Sequence, residues 1–229
     1  MSMMLRMAGT LGQRLEVDPA LVGWWKFDGN LTDASGAGNH ATVGTGSEAY
    51  TAGVYGQAWD NNATRLLKID TITSADLDGT HSIVVWIKPS AIEASSFTRY
   101  RITSRMVGTS TRSTVGIDDS RISMSISGAS PQIQSDPIEI NKWYHVVAVF
   151  QNGNSVLYIN GSPIGTSSDN ILSGDATPLY VGGQATSAGT GRHFEGQIDN
   201  AMIFNRALSP SEIKYVYDTG RPIPKGAPL

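Results

Sequence analysis

The chain has 229 residues, including 25 glycines, and a formal net charge of −3. This length suits one large all-β domain or two small ones, and abundant Gly, Ser, Thr and Asn favour many short strands joined by turns. The slight negative charge argues against nucleic-acid binding, and the absence of cysteine excludes a disulfide framework, a thiolate metal site and a cysteine nucleophile.

The N-terminal segment contains no recognisable export signal. Residues 1–17, MSMMLRMAGTLGQRLEV, lack the continuous apolar core of a signal peptide. We therefore expect either that a leader has been removed or that export does not follow the usual route. No run of about 18 apolar residues predicts a membrane span.

Strand patterns recur at short intervals, separated by clusters of Gly, Asn, Asp and Ser. The predicted strands cover residues 21–28, 65–69, 81–89, 100–107, 121–126, 142–150, 155–160, 178–183 and 198–204. Both faces of the 142–150 segment are apolar, which predicts a central strand covered on both sides. In the last segment, strict alternation places Asp199 on one face with Ala201 and Ile203, where a carboxylate needs a compensating partner.

One helix is predicted near the C-terminus. Ser209 is its N-cap, Pro210 takes the first helical position, Glu212 completes a capping box, and Gly220 ends the helix. The whole pattern predicts an all-β, antiparallel jelly-roll β-sandwich with one short C-terminal helix.

Two arms flank the predicted sandwich at residues 21–219. They are an N-terminal docking arm at residues 1–20 and a Pro-rich tail at residues 220–229, GRPIPKGAPL. Such termini are normally disordered unless something holds them. We expect a partner protein or neighbouring copies to hold these arms, so an oligomer is plausible.

Four segments resemble one family when they are taken in order. They are LVGWWKFDGNLTDASGAGNHATV, HSIVVWIKPS, NKWYHVVAVFQNGNSVLYINGSPIG and FEGQIDNAMIFNRALSPSEIKYVY. Together they are similar to the laminin-G-like domains of the concanavalin A-like lectin/glucanase superfamily, over about residues 21–218. The resemblance implies the sandwich fold, but this fold hosts lectins, adhesion modules, capsid decorations and glycosidases alike.

The resemblance also implies a structural Ca²⁺ at the edge of the sandwich. Matched by motif, its ligands are Asp28 and Asn30 of WKFDGN and Asp199 of GQIDNA, with Asp33 as a weaker contributor. Carboxylate, amide and carbonyl oxygens are the ligands that Ca²⁺ prefers. The alternative is structural: Asp28 forms an Asx-turn, and Asp199 pairs with an arginine or accepts backbone N–H groups.

No pattern of catalytic residues accompanies the fold. The acidic pairs Asp118–Asp119 and Asp136–Glu139 are out of phase for two carboxylates on one strand face. His81 and His145 lie in phase with core residues, so we interpret them as interior histidines. We expect the protein not to be an enzyme.

Three segments are candidate glycan-binding loops, at residues 91–100, 108–120 and 184–194. Their candidate ligand-binding residues are Phe97, Arg99, Tyr100, Arg112, Arg192 and His193. Each has the alternative of an ordinary solvated or packing side chain.

The expected function is that of a non-catalytic binding or adhesion module with possible glycan binding. We expect it to be displayed on a larger assembly, such as a virus or phage particle, and located on a virion surface or outside the cell. The alternative is a carbohydrate-binding lectin module of a secreted polysaccharide-active protein.

Overall fold

The structure is a computed structural model. It describes residues 16–62, 64–72, 74–77, 79–92, 100–107, 110–127, 131–171, 178–184 and 192–226. No helix among these residues is long and apolar enough to cross a membrane.

The described residues form fifteen strands and two helices. In chain order these are β1 (Leu21–Trp25), β2 (Thr42–Thr45), β3 (Tyr50–Ala52), β4 (Gln57–Asn61), β5 (Leu66–Ile69), α1 (Ser74–Leu77), β6 (His81–Pro89), β7 (Tyr100–Val107), β8 (Ser110–Asp118), β9 (Arg121–Ser125), β10 (Ile133–Pro137), β11 (Tyr144–Phe150), β12 (Ser155–Ile159), β13 (Ser162–Ser167), β14 (Leu179–Val181), β15 (Gly196–Phe204) and α2 (Pro210–Thr219).

The strands form two antiparallel sheets that pack as a sandwich. The eight-stranded sheet has the order β13-β12-β11-β6-β15-β4-β3, with β1 paired beside β15. The seven-stranded sheet has the order β10-β9-β8-β7-β14-β5-β2. The first and last strands of the domain are therefore neighbours, and the predicted antiparallel sandwich is confirmed.

Apolar side chains form two clusters, one on each side of the eight-stranded sheet. The larger lies between the sheets and includes Trp25, Trp59 and Phe150. The smaller lies under α2 and includes Val147 of β11 with Ile213 and Val216 of the helix. All seven residues of β11 are buried, because one face contacts the inter-sheet core and the other faces α2. The predicted central strand is confirmed.

Helix α2 has the predicted ends. The Ser209 side chain accepts a hydrogen bond from the Glu212 N–H, and the Glu212 side chain accepts one from the Ser209 N–H. Gly220 ends the helix in the left-handed conformation, with φ of 64°. This conformation favours glycine because no Cβ is present to clash.

Several strands were not predicted, including β2, β3, β4, β10 and β13. The predicted loop at residues 108–120 is also wrong, because Ser110–Asp118 form β8 in the middle of the seven-stranded sheet. The outward face of β8 carries the polar residues Thr114 and Asp118 together with Gly116, and all three are buried. Pattern-based prediction expects apolar residues in a buried strand, so this segment resembled a loop.

The described parts of the two arms pair with each other. The Asp18 N–H donates to the Ile223 carbonyl (2.9 Å), and the Lys225 N–H donates to the Glu16 carbonyl (2.8 Å). Arg206 joins Asp18 to Glu212 of α2 through ion pairs with both carboxylates. Residues 16–20 and 220–226 are thus attached to the sandwich itself. Residues 1–15 lie outside the described part of the chain.

Candidate functional site

Asp199 does not share a face with Ala201 and Ile203, which corrects the sequence-based expectation. Asp199 pairs with Trp86, whereas Ile203 pairs with Ile83 in the inter-sheet core, and the register between β15 and β6 shifts between Asp199 and Met202. Asn200 has a φ of 49° at this irregularity. The extra residue of a bulge inverts the alternation of faces, so Asp199 leaves the inter-sheet core while Ala201 stays in it.

The Asp199 carboxylate holds the turn that precedes β4. Its Oδ2 accepts hydrogen bonds from the Val54 N–H (2.8 Å) and the Tyr55 N–H (2.9 Å). Its Oδ1 is buried and has no hydrogen-bond partner among the described residues. Asp199 is fully buried, so one of its oxygens has lost its hydration without a replacement.

Asp28 holds the other end of the same turn, because its Oδ1 accepts a hydrogen bond from the Gln57 N–H (2.8 Å). We call Asp28, Asp199 and residues 53–57 the rim site. Asn30 is exposed, and its side chain is used locally: Nδ2 donates to the Asp28 carbonyl, and Oδ1 accepts from the Thr32 N–H. The structure therefore brings Asp28 and Asp199 to one turn and leaves Asn30 in an Asx-type turn beside it.

Two glycines allow the turn to approach both carboxylates. A Cβ on Gly53 would lie 2.5 Å from Asp199 Oδ2, and a Cβ on Gly56 would collide with Asp28 Oδ1. Gly56 also has a φ of 71°, which disfavours other residues. The sequence GVYGQ thus fits the rim site for steric reasons.

Burial raises the pKa of Asp199 to about 6, and the nearby negative charge of Asp28 acts in the same direction. Hydrogen bonds from the Tyr55 and Val54 N–H groups, together with the nearby Asn200 N–H, oppose this shift without cancelling it. A cation beside Asp199 Oδ1 would favour the charged carboxylate and so lower the pKa again.

The donor set at the rim site suits a hard cation but is small. It offers two carboxylates, one with an unpartnered buried oxygen, and Ca²⁺ takes 6–8 oxygen ligands. The described residues contain no group of three or more His or acidic side chains that could hold a metal ion. Backbone carbonyls and water would have to complete the shell.

Asn200 connects the rim site to a pocket. Its Oδ1 accepts a hydrogen bond from Trp24 Nε1 (2.6 Å), and its Nδ2 donates to the Gly220 carbonyl (2.7 Å). Asn200 is 3% exposed, whereas the Trp24 ring is only half-buried. The buried Asn200 side chain therefore sets the position of the indole, and the exposed part of the Trp24 ring remains available for contact with a ligand.

The pocket beside Trp24 has a volume of about 700 Å³. We call it the Trp24 pocket. Its walls combine two half-buried aromatic rings with prolines, part of the 33–39 loop, and charged residues from the segments 16–20 and 220–226. The lining residues are Glu16, Val17, Pro19, Trp24, Ala34, Ser35, Gly36, Tyr215, Arg221, Pro222, Pro224 and Lys225.

Asp33 fixes the loop that forms one wall. Its carboxylate accepts hydrogen bonds from the N–H groups of Trp24, Ser35 and Asn39 at 2.8–2.9 Å, and from the Ser35 hydroxyl at 2.9 Å. Burial raises the pKa of Asp33, but these hydrogen bonds outweigh it and lower the pKa overall. The oxygens of Asp33 are thus used to shape the pocket, which disfavours a role for Asp33 as a calcium ligand.

Polar side chains also line the outward face of the seven-stranded sheet. Thr114 lies opposite Ser125 on one side and Ser104 on the other, and Gly116 lies between Ser123 and Arg101. The four hydroxyl residues and Arg101 are at most 1% exposed. The hydroxyls of Thr114 and Ser125 have no hydrogen-bond partner among the described residues. This face is polar but not open, so the pocket is the better candidate for ligand binding.

Of the six predicted ligand-binding residues, Tyr100, Arg192 and His193 have described side chains, and the use of all six in binding stays a prediction. Phe97, Arg99 and the side chain of Arg112 lie outside the described part of the structure. Tyr100 packs in the inter-sheet core and is 6% exposed, which argues against a surface contact with sugar. Arg192 is exposed, and its carbonyl accepts a hydrogen bond from the Arg101 N–H. Half-buried His193 places Nδ1 2.8 Å from the Arg65 carbonyl.

Sequence reasoning missed the pocket because distant segments build it. Trp24 lies within the strand pattern of residues 21–28, which favours a core residue over a sugar platform, and Tyr215 lies off the apolar stripe of α2. The available signal was the pair of adjacent tryptophans, Trp24 and Trp25. Alternation along β1 requires one of them to face away from the inter-sheet core.

Residues 61–214 match the family model described as Concanavalin A-like lectin/glucanases superfamily. No curated protein matches the sequence significantly.

Solved structures give the same answer for the fold. Domain 4 of AbnA, a GH43 extracellular arabinanase from Geobacillus stearothermophilus solved in complex with arabinotriose, is 21% identical with a TM-score of 0.67; the match covers 86% of this chain and 98% of that one. Trypanosoma rangeli sialidase is 17% identical with a TM-score of 0.65, and the match covers 88% of this chain and 33% of the sialidase.

The binding domain of Paraclostridial Mosquitocidal Protein 1 is 16% identical with a TM-score of 0.68, over 87% of this chain and 52% of that one. The chain thus spans about a third of the sialidase and about half of the mosquitocidal protein's binding domain. At these identities the likeness shows the shared fold. The family match over more than half of the chain shows that this protein belongs to the laminin-G-like group of the concanavalin A-like lectin/glucanase superfamily.

Proposed function

We propose that this protein is a non-catalytic carbohydrate-binding module that receives its saccharide in the Trp24 pocket. The observation that carries this proposal is the pocket itself, with half-buried Trp24 and Tyr215 in its walls and the indole held by Asn200. Binding pockets generally combine apolar and aromatic walls with a few placed polar groups. Aromatic rings offer flat apolar faces to the C–H faces of sugar rings, while Ser35 and the backbone of the 33–39 loop can meet hydroxyls.

The arabinotriose complex of AbnA domain 4 supports the proposal, because that domain matches along nearly its whole length. It shows that a domain of this fold can hold an oligosaccharide. The likeness does not transfer the ligand, so the saccharide of this chain has to be found by experiment.

The absence of catalysis is part of the proposal. Hydrolysis of a glycosidic bond ordinarily uses two carboxyl groups that flank the bond. Among the described residues that line the pocket, only Glu16 is acidic, and it pairs with Lys225 at 2.8 Å. The lining therefore offers no second carboxyl group to act with it.

Binding to an oligosaccharide panel that includes arabinotriose tests the proposal. We expect at least one saccharide to bind and to shift the Trp24 indole signal in ¹H–¹⁵N NMR spectra. Tyr215→Ala should weaken that binding, whereas Trp143→Ala, which removes a half-buried tryptophan outside the lining, should not. Binding that ignores Tyr215→Ala, or a panel without any binder, would contradict the proposal.

We also propose that Asp28 and Asp199 hold one structural Ca²⁺ at the rim site. The unpartnered buried oxygen of Asp199 and its raised pKa support this, since a cation would compensate both. The ion would bring charge compensation and cross-link β15 to the segment after β1. It would have no catalytic role.

Display on a larger assembly, such as a virus particle, stays a prediction, as do an oligomer and docking through the arms. Residues 16–20 and 220–226 are held by contacts within this chain, so docking would depend on residues 1–15 and 227–229. Deleting residues 1–15 and measuring incorporation into the assembly tests this. If the truncated chain is incorporated normally, the N-terminal docking role fails.

A further inference from the structure

The charged groups around the Trp24 pocket are unequally paired. Glu16 and Lys225 form an ion pair across the rim, at 2.8 Å. Arg221 also lines the pocket, is exposed, and has no ion-pair partner among the described residues. A second cation lies beside the pocket, because Lys26 Nζ sits 4.8 Å from the centre of the Trp24 ring.

The neighbouring carboxylates are already engaged by other cations. Asp218 of α2 binds Lys214 with oxygen–nitrogen distances of 3.0 and 2.7 Å. Asp18 and Glu212 both bind Arg206. The pocket is therefore locally positive on a chain whose net charge is −3, and an incoming anion is the group that would balance Arg221.

We propose that the Trp24 pocket selects saccharides that carry a carboxylate, such as uronic acid residues. The carboxylate binds the Arg221 guanidinium, and the sugar ring lies against Trp24 and Tyr215. A guanidinium presents paired N–H donors that match the two oxygens of a carboxylate. This inference rests on the proposed carbohydrate-binding function and adds the chemical class of the ligand.

The geometry favours a compact saccharide over an extended peptide. A peptide that adds to a sheet needs a free strand edge. Here the segments that border the pocket pair with each other, through the bridge between Val17 and Pro224 and the hydrogen bonds on either side of it. The 33–39 loop borders the pocket on one side, and the paired segments 16–20 and 220–226 border it on another.

A matched pair of sugars tests the selectivity: methyl α-D-galacturonide and methyl α-D-galactoside, which differ at C6 in carboxylate against hydroxymethyl. Titrations followed at the Trp24 indole signal should give an affinity for the galacturonide at least about tenfold higher, equivalent to about 1.4 kcal/mol. Arg221→Gln should abolish this difference. Lys68→Gln, which removes a cation from β5 of the seven-stranded sheet, outside the lining, should preserve it.

The other outcomes separate a failure of the carboxylate inference from a failure of the proposed carbohydrate binding. If both sugars bind with the same affinity, or if Arg221→Gln keeps the tenfold preference, the inference on the carboxylate is wrong while the proposed carbohydrate binding stands. If neither sugar nor any oligosaccharide of the panel moves the Trp24 signal, both proposals fail. Should Arg221→Gln not fold, Arg221→Lys keeps the charge without the paired donors, and an unchanged preference in that variant would overturn the guanidinium contact.

Discussion

Trp24 and Asn200 are 176 positions apart in the chain, yet the Trp24 indole N–H donates a 2.6 Å hydrogen bond to the Asn200 side chain. Asn200 is the neighbour of Asp199, so one bulge in β15 serves two sites. Asp199 holds the turn of the rim site, and Asn200 orients the aromatic wall of the pocket. Changes at this bulge should therefore affect both the fold and the binding of ligand.

Removal of the Asn200 side chain tests the second of these roles. Asn200→Gly keeps the φ of 49° accessible but leaves Trp24 Nε1 and the Gly220 carbonyl without their partner. We expect a loss of about 1–3 kcal/mol in the free energy of unfolding, measured with urea, because buried polar groups lose hydrogen bonds. Asn200→Ala should cost more, since it adds backbone strain. Equal stability of wild type and Asn200→Gly would show that the hydrogen bonds contribute little.

Gly56→Ala should destabilise the fold by clearly more than the usual cost of alanine at positive φ, which is about 1 kcal/mol. The added Cβ would collide with Asp28 Oδ1 in the turn held by both carboxylates. Gly153 is a matched control, because its φ of 75° is similar and its Cβ would meet nothing within 4 Å. Chemical denaturation of both variants separates the collision from the strain. Equal losses would mean that the turn moves away freely.

Ionisation of Asp199 should destabilise the folded protein, and bound Ca²⁺ should offset this loss. The folded pKa of Asp199, about 6, lies above the ordinary value of 3.8. The associated stability is fully present below about pH 4 and is lost as the pH rises through about 6. The loss reaches at most about 3 kcal/mol near pH 7 without a cation. At pH 7.5, Ca²⁺ should raise the melting temperature and EDTA should reverse this.

Asp199→Asn is the control for that prediction. The asparagine removes the charge and keeps the shape, so the loss of stability that Asp199 causes between pH 4 and 7 should disappear and leave the opposite slope of His145, and the response to Ca²⁺ should disappear. A melting temperature of the wild type that is the same in Ca²⁺ and in EDTA would count against the calcium site.

His145 should make the protein sensitive to acid. Burial lowers its pKa from 6.5 to about 3, and neither ring nitrogen has a hydrogen-bond partner among the described residues. The imidazole packs against both Trp86 and Tyr217, with ring centres 5.0 and 5.4 Å away. Its stability contribution is present above about pH 6.5 and is lost as the pH falls toward 3, by about 2 kcal/mol at pH 5.

His145→Phe should remove this acid sensitivity. The free energy of unfolding at pH 5, taken relative to that at pH 7, should be about 2 kcal/mol higher in the variant than in the wild type. Since Asp199 acts with the opposite sign over the same interval, the effect should be clearest in an Asp199→Asn background. Parallel curves for the two proteins in that background would show that His145 is not held neutral.

The sequence by itself determined the class of fold, the central strand β11 and helix α2 with both of its ends. Turn residues, apolar periodicity and the capping box are local signals, so they are visible without contacts between distant segments. The motif resemblance also indicated that Asp28 and Asp199 belong to one site, and the structure joins them through a single turn.

Only the tertiary structure decided which way Asp199 points and what surrounds Trp24. One extra residue at Asn200 inverts the side-chain alternation of β15, and no local pattern marks that bulge. The Trp24 pocket is assembled from β1, the 33–39 loop, α2 and both termini, so it exists only after these segments pack. Strand β8 has polar residues on its outward face, so its sequence lacks the apolar pattern of a buried strand although Thr114 and Asp118 are buried.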